Sequence, residues 1–197
     1  MNTDSDKDIA KLNGFLKNEV AAVETYGRLD YAHNNAGVAS GGLSIADCPE
    51  EEFARVLAIN LTGVWLCLKY ELQLMLKQGA GAVVNTSSVA GLVGFAGRGD
   101  YVAAKHGVIG LTKTAALEVA QAGIRVNAVC PGFVRTPLVE RVLRREPARE
   151  ALMVRLEPVG RLGTPEEVAA AVVWLCSDAA SFVTGHALAV DGAFLAQ

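Results

Sequence analysis

The chain has 197 residues and a hydrophobic fraction of 51%, enough for one domain over 1–197 with a sizeable core and no disulfide or metal staple. Charged residues make up 20% and the net charge is −3, which argues against a nucleic-acid binder with its basic surplus. No apolar run reaches the roughly 18 residues that a membrane helix needs, and 20 glycines with only 6 prolines exclude collagen-like and proline-rich disordered classes.

The polar, acidic start lacks the features of a signal or transit peptide, so a cytoplasmic location is the default expectation. Ile9, Leu12, Leu16, Val20 and Val23 recur at helical spacing and predict an amphipathic helix over 6–26. Asp4, Ser5 and Asp6 are candidate caps, and Gly27 ends the helix. A short strand over 29–33 runs into Asn34-Asn35-Ala36-Gly37. Pro49 followed by Glu50, Glu51 and Glu52 starts a long helix that continues to about residue 78. Its predicted apolar stripe is Phe53, Leu57, Leu61, Val64, Leu68, Leu72 and Met75.

A buried strand over 82–86 ends in Ser87-Ser88, and a glycine-punctuated loop over 91–99 leads to a helix over 100–121. Gly123 caps that helix, and a strand over 125–130 is ended by Pro131-Gly132. The charged segment 133–163 carries short helices near 137–145 and 148–155. Thr164 as N-cap and Pro165 at the first helical position start a helix to about residue 176, and 187–190 is a last strand. This alternation predicts a parallel sheet with helices on both faces.

Cys48, Cys67, Cys130 and Cys176 lack the spacing of a zinc site or a CxxC redox pair and read as ordinary buried thiols. His33, His106 and His186 are far apart, so no metal site is expected. Trp65 and Trp174 fall on apolar helix faces and are expected in the core or an interface. The basic run from Arg141 to Arg145 reads as a solvated helix face.

Tyr101 and Lys105 are four residues apart on a predicted helix and share a face. Ser88 lies thirteen residues earlier, just past a buried strand, where ligands of open parallel sheets bind. Asn60 sits on the apolar stripe of the long helix, where a buried amide must find partners. Each has a structural reading of its own; the combination is what points to chemistry.

With Asn34-Asn35-Ala36-Gly37, Asn60, Ser88, Tyr101-Val102-Ala103-Ala104-Lys105 and Pro131-Gly132-Phe133-Val134-Arg135-Thr136, the chain resembles the short-chain dehydrogenase/reductase family. Val183-Thr184-Gly185 and Val190-Asp191-Gly192 extend the resemblance, with Ala193 where a glycine is more usual. It covers about residues 25–197.

The resemblance implies an NAD(P)-dependent oxidoreductase that interconverts a secondary alcohol and a ketone by hydride transfer. Tyr101 would be the general acid/base, with Lys105 lowering its pKa and reaching the nicotinamide ribose. Ser88 would orient the reacting oxygen, and Asn60 would hold a water linking Lys105 to solvent. Asn35, Ala36, Gly37 and Thr86 would line the cofactor. Pro131, Gly132, Val134 and Thr136 would belong to the loop that covers the nicotinamide. Residues 133–163 correspond to a substrate-selecting lid, here with Leu138, Val139, Leu143, Leu152 and Met153. The helices over 50–78 and 100–121 imply a homodimer or homotetramer.

The family's T-G-x-x-x-G-x-G turn, which holds the cofactor pyrophosphate, has no counterpart in the sequence. The expected fold is therefore α/β, an N-terminally truncated Rossmann-like, doubly wound parallel sheet with four contiguous strands. The choice between NAD and NADP is unreadable. Three accounts stay open: a true start upstream, a genuine truncation with weak cofactor binding, or a lost layer rebuilt by the N-terminus or a partner. The alternative function is a catalytically silent oligomerisation or scaffold fragment.

Overall fold

A computed structural model describes residues 17–197 of the chain. Helix α1, Lys17–Tyr26, ends where predicted. Gly27 takes a left-handed φ of +74° and its N–H donates to the Val23 carbonyl at 2.8 Å. The rest of the expected first helix, with Ile9, Leu12, Leu16 and the candidate caps, lies outside the described residues.

Strand β1, Tyr31–Asn34, starts two residues later than predicted. The Gln78 side chain accounts for the delay. Its Oε1 accepts from the Leu29 N–H and its Nε2 donates to the Leu29 carbonyl, both at 2.8 Å, so both Leu29 backbone groups are held by the end of a helix. Strands β2 (Gly81–Thr86), β3 (Ile124–Pro131) and β4 (Ala187–Val190) complete a parallel sheet in the order β1-β2-β3-β4. His33 pairs with Val84, Val84 with Asn127, and Ala128 with Ala187. The central strands are buried on both faces, as near-continuous apolar runs in a parallel sheet should be.

The long helix is a rod of α2 (Glu50–Leu57), a π-helical turn (Ala58–Thr62) and α3 (Gly63–Gln78). The π turn corrects the predicted stripe. It inserts one residue and so rotates the upstream face by roughly 100°. Val56 is fully buried, whereas Phe53 is 41% exposed. By length and composition the whole rod could cross a membrane, but it buries Asn60 and Glu71 within the protein and packs on the sheet and on α4 (Gly99–Val119).

One core cluster joins Val64, Leu68 and Met75 of α3 to Val83 and Val126 of the sheet and Val108 and Ala115 of α4. On the other face, Val172 and Leu175 of helix α7 (Pro165–Cys176) pack on Val84 and Val129. Helices therefore cover both faces, as in a doubly wound sheet. The polar centre is also knitted. Asn34 Nδ2 donates to Glu71 Oε2 at 3.0 Å and to Asn85 Oδ1 at 2.9 Å, and Asn85 Nδ2 donates to Thr112 Oγ1 at 3.0 Å. These buried groups tie β1, β2, α3 and α4 together.

Helices α5 (Pro137–Arg145) and α6 (Ala148–Leu156) form the lid, close to the predicted bounds. Helix α7 has the expected Thr164 cap, completed by Glu167 as a capping box. No cysteine forms a disulfide, and only Cys130 is buried; the other three are half-buried because they sit on helix flanks or loops. Trp65 and Trp174 are 45% and 40% exposed, so neither is a core residue of the single chain.

Candidate active site

The carboxyl ends of β1, β2 and β3 open onto a cavity of about 580 Å³, the position where open α/β sheets bind ligands. Ser88, Tyr101 and Lys105 all line it. The loop after β2 delivers Ser88, and its fold there is fixed locally: Ser88 Oγ accepts from the Ala90 N–H at 3.1 Å. Ser87 Oγ donates to the Lys105 carbonyl at 2.8 Å and docks α4 against this loop. Gly91 permits that approach, because a Cβ there would stand 2.8 Å from the Lys105 carbonyl oxygen.

Lys105 is 4% exposed, and its Nζ donates to the Thr86 carbonyl at 2.7 Å. Burial lowers its pKa to about 8. Its Nζ also lies 5.5 Å from the centre of the Tyr101 ring. Burial pushes the Tyr101 hydroxyl above its ordinary range, while the Ser88 hydroxyl and the Arg98 guanidinium pull it down. The sequence reading gave that lowering role to Lys105. In the structure the Lys105 ammonium is bonded to the Thr86 carbonyl and lies over the Tyr101 ring, and Arg98, three residues before Tyr101, is a further cation near the hydroxyl.

Asn60 is completely buried and stands behind the cavity rather than in its wall. Its Oδ1 accepts from the Val38 N–H at 2.8 Å and its Nδ2 donates to the Val38 carbonyl at 2.9 Å. The amide expected to hold a water thus also pairs with both backbone groups of Val38. It anchors the segment after β1 against the π turn. Gly37 lies directly over this anchor: a Cβ there would stand 3.1 Å from Asn60 Oδ1 and 3.9 Å from Lys105 Nζ.

Of the residues expected around a cofactor, Asn35, Gly37, Thr86, Pro131, Gly132, Val134 and Thr136 line the cavity with Tyr101 and Lys105. Ala36 does not, because alternate residues of an extended segment point to opposite sides. Among the lining residues that the sequence does not mark as site residues are His33, Phe95 and Arg98. His33 Nε2 lies 2.8 Å from Thr86 Oγ1, and Arg98 Nη1 donates to the Ser40 carbonyl at 2.9 Å. Phe95 stacks on Phe194 at 5.7 Å, and Phe133 meets the same ring edge-on at 6.0 Å, so the C-terminal turn closes one side. The position of Arg98 three residues before Tyr101 was the available signal. Nothing local marked Phe95.

Leu138, Val139, Val142 and Met153 from the lid form an apolar wall opposite. Two hydroxyls and an ammonium facing an apolar wall can hold a carbonyl or hydroxyl oxygen and move a proton at it.

A family model described as enoyl-(acyl carrier protein) reductase matches residues 8–194. The chain belongs to the short-chain dehydrogenase/reductase family. It is 45% identical over 190 residues to the 2,5-dichloro-2,5-cyclohexadiene-1,4-diol dehydrogenase of Sphingobium indicum, covering 96% of this chain and 76% of that protein. It is 49% identical over 176 residues to the cyclohexanol dehydrogenase of Acinetobacter sp., covering 89% of this chain and 68% of that one. The solved structure of ElxO with NADP bound superposes with a TM-score of 0.89 at 35% identity, over 94% of this chain and 75% of that chain. An oxidoreductase fold of the Rossmann type is therefore established for this chain.

Proposed function

We propose that this protein interconverts a secondary alcohol and a ketone with NAD or NADP. The observation that carries the reading is the meeting of Ser88, Tyr101 and Lys105 in one cavity at the strand ends. Ser88 Oγ hydrogen-bonds the substrate oxygen. The Tyr101 hydroxyl gives its proton to that oxygen during reduction, and the phenolate takes it back during oxidation. Lys105 and Arg98 stabilise the phenolate. The nicotinamide, when bound, supplies or accepts the hydride.

The residues present fit the nicotinamide half of such a cofactor. Lys105 has a buried donor at the cavity floor, and Gly37 and Gly132 line the same cavity. Pro131, Gly132, Val134 and Thr136 would cover the ring, and Asn35 and Gly37 would lie along the adenosine side. The sequence offers no glycine-rich turn for the pyrophosphate. The alternative raised by the sequence is a silent oligomerisation or scaffold fragment.

The apolar lid wall supports a weakly polar, ring-sized alcohol of the kind named for the relatives. Exposed Phe53, Trp65 and Leu117 on α2, α3 and α4 support assembly into a homodimer or homotetramer. Titration of the purified chain with NADH and NADPH separates the two function readings. Saturable binding, with turnover of cyclohexanol or cyclohexanone, is expected. A folded chain that binds neither dinucleotide at millimolar concentration would leave the scaffold reading.

A further inference from the structure

Glu157 stands at the C-terminal end of the lid helix α6, in a segment that reads as charged and irregular, yet it is only 3% exposed. Its Oε1 accepts from the Phe133 N–H at 2.6 Å. Its Oε2 is buried without a hydrogen-bond partner. Two glycines from different strand ends make room for this carboxyl. A Cβ on Gly132 would overlap Oε1, and a Cβ on Gly192 would stand 3.0 Å from Oε2. Such a slot, closed on both sides by backbone, holds a side chain in one place.

We propose that Glu157 is a positioning residue that fixes the loop 131–136 as one wall of the active-site cavity. This rests on the reaction proposed above. The loop separates two spaces. On one side Pro131, Gly132, Val134 and Thr136 face the large cavity. On the other, Gly132, Phe133 and Val134 line a smaller cavity of about 130 Å³ that also contains Glu157. The loop thus has empty space behind it. Its backbone is held at the ends, by Gly132 N–H to the Val190 carbonyl at 3.1 Å and by Phe133 and Arg135 bonded to Gly163 at 2.9 Å, and the Phe133–Glu157 bond is the side-chain brace beside that space. Met153, four residues earlier on α6, lines the large cavity, so one short helix carries both a lid contact and the brace.

The electrostatics suit a brace rather than an ion pair. Asp191 is the charged neighbour, and its carboxylate is engaged by the Ala193 and Leu195 N–H groups. Arg161, at the rim of the small cavity, is paired with Glu167. Burial, reinforced by the Asp191 charge, pushes the Glu157 carboxyl above its usual range. A neutral acceptor should therefore serve as well as the charged one.

The test is amide hydrogen exchange over 132–136 in the full chain, comparing wild type, Glu157→Gln and Glu157→Ala. Glu157→Gln should keep the wild-type protection, because its amide oxygen can still accept from Phe133. Glu157→Ala should exchange at least about tenfold faster there, the scale of one lost hydrogen bond, with β3 protection unchanged. In turnover assays the alanine variant should raise KM for the dinucleotide by about tenfold with a smaller change in kcat, and the glutamine variant should rescue it. Unchanged exchange over 132–136 in Glu157→Ala would overturn the proposal. Should Glu157→Ala unfold, wild-type-like protection in Glu157→Gln supports it, and loss there overturns it. An inactive wild type would refute the proposed reaction, and the exchange result alone would decide the role of Glu157.

Discussion

Lys105 donates its ammonium to the Thr86 carbonyl at 2.7 Å, which puts a buried cation at the end of β2 and under the Tyr101 ring. The bond joins the strand that lines the cavity to the helix that carries the acid/base hydroxyl. It is also a strained electrostatic arrangement, because a single carbonyl compensates a charge removed from water.

That cost predicts a pH dependence. Burial lowers the Lys105 pKa to about 8 in the folded chain, against its ordinary value of 10.5 when unfolded. The unfolded state therefore binds more protons between these values, and stability rises with pH across that window. The full rise is at most about 3 kcal/mol. It is present above the unfolded value and lost as pH falls through about 8. Urea unfolding of wild type from neutral to alkaline pH should show the rise, and Lys105→Met should flatten it and be more stable at neutrality.

Asn60 and Val38 predict a second effect. Asn60→Leu leaves both backbone groups of Val38 without their buried partner, at a cost of roughly 2–4 kcal/mol. Denaturant unfolding measures it. The loss should be accompanied by faster hydrogen exchange at Val38, since the side chain's contacts are to that residue.

Ala193 is the one non-glycine with positive φ among the described residues, at +69°. The family resemblance places a glycine at this position, and the backbone supplies the reason. A Cβ in the left-handed region costs roughly 1–2 kcal/mol, part of which glycine returns as greater unfolded-state freedom. Ala193→Gly is expected to stabilise the chain by up to about 1 kcal/mol, read from the thermal or urea midpoint.

Much of the site was legible because its signals are local. The four-residue step from Tyr101 to Lys105 places both on one helix face, and Ser88 follows an apolar run ended by small polar residues. The parallel sheet follows from the alternation of elements and its contiguous strand order from the family resemblance, and the Thr164 N-cap from residue types alone. What escaped depends on distant partners. The π turn leaves a stripe that still looks helical, so the displacement from Phe53 to Val56 is invisible without the fold. Arg98 is directed by Ser40 in the loop after β1, and Glu157 by two glycines near other strand ends. Trp65 looks like core in a helical stripe, yet it stands exposed beneath Lys69.

Tyr101→Phe removes one hydroxyl oxygen and leaves the ring, so it isolates the proton step from packing. The central measurement is cyclohexanol oxidation by this variant and by wild type, followed by the appearance of reduced nicotinamide. The account predicts turnover in wild type and a loss of roughly 10²–10⁴-fold in kcat for Tyr101→Phe, with the unfolding midpoint and dinucleotide affinity little changed. Turnover in Tyr101→Phe equal to that of wild type would contradict the assignment of Tyr101 as the acid/base.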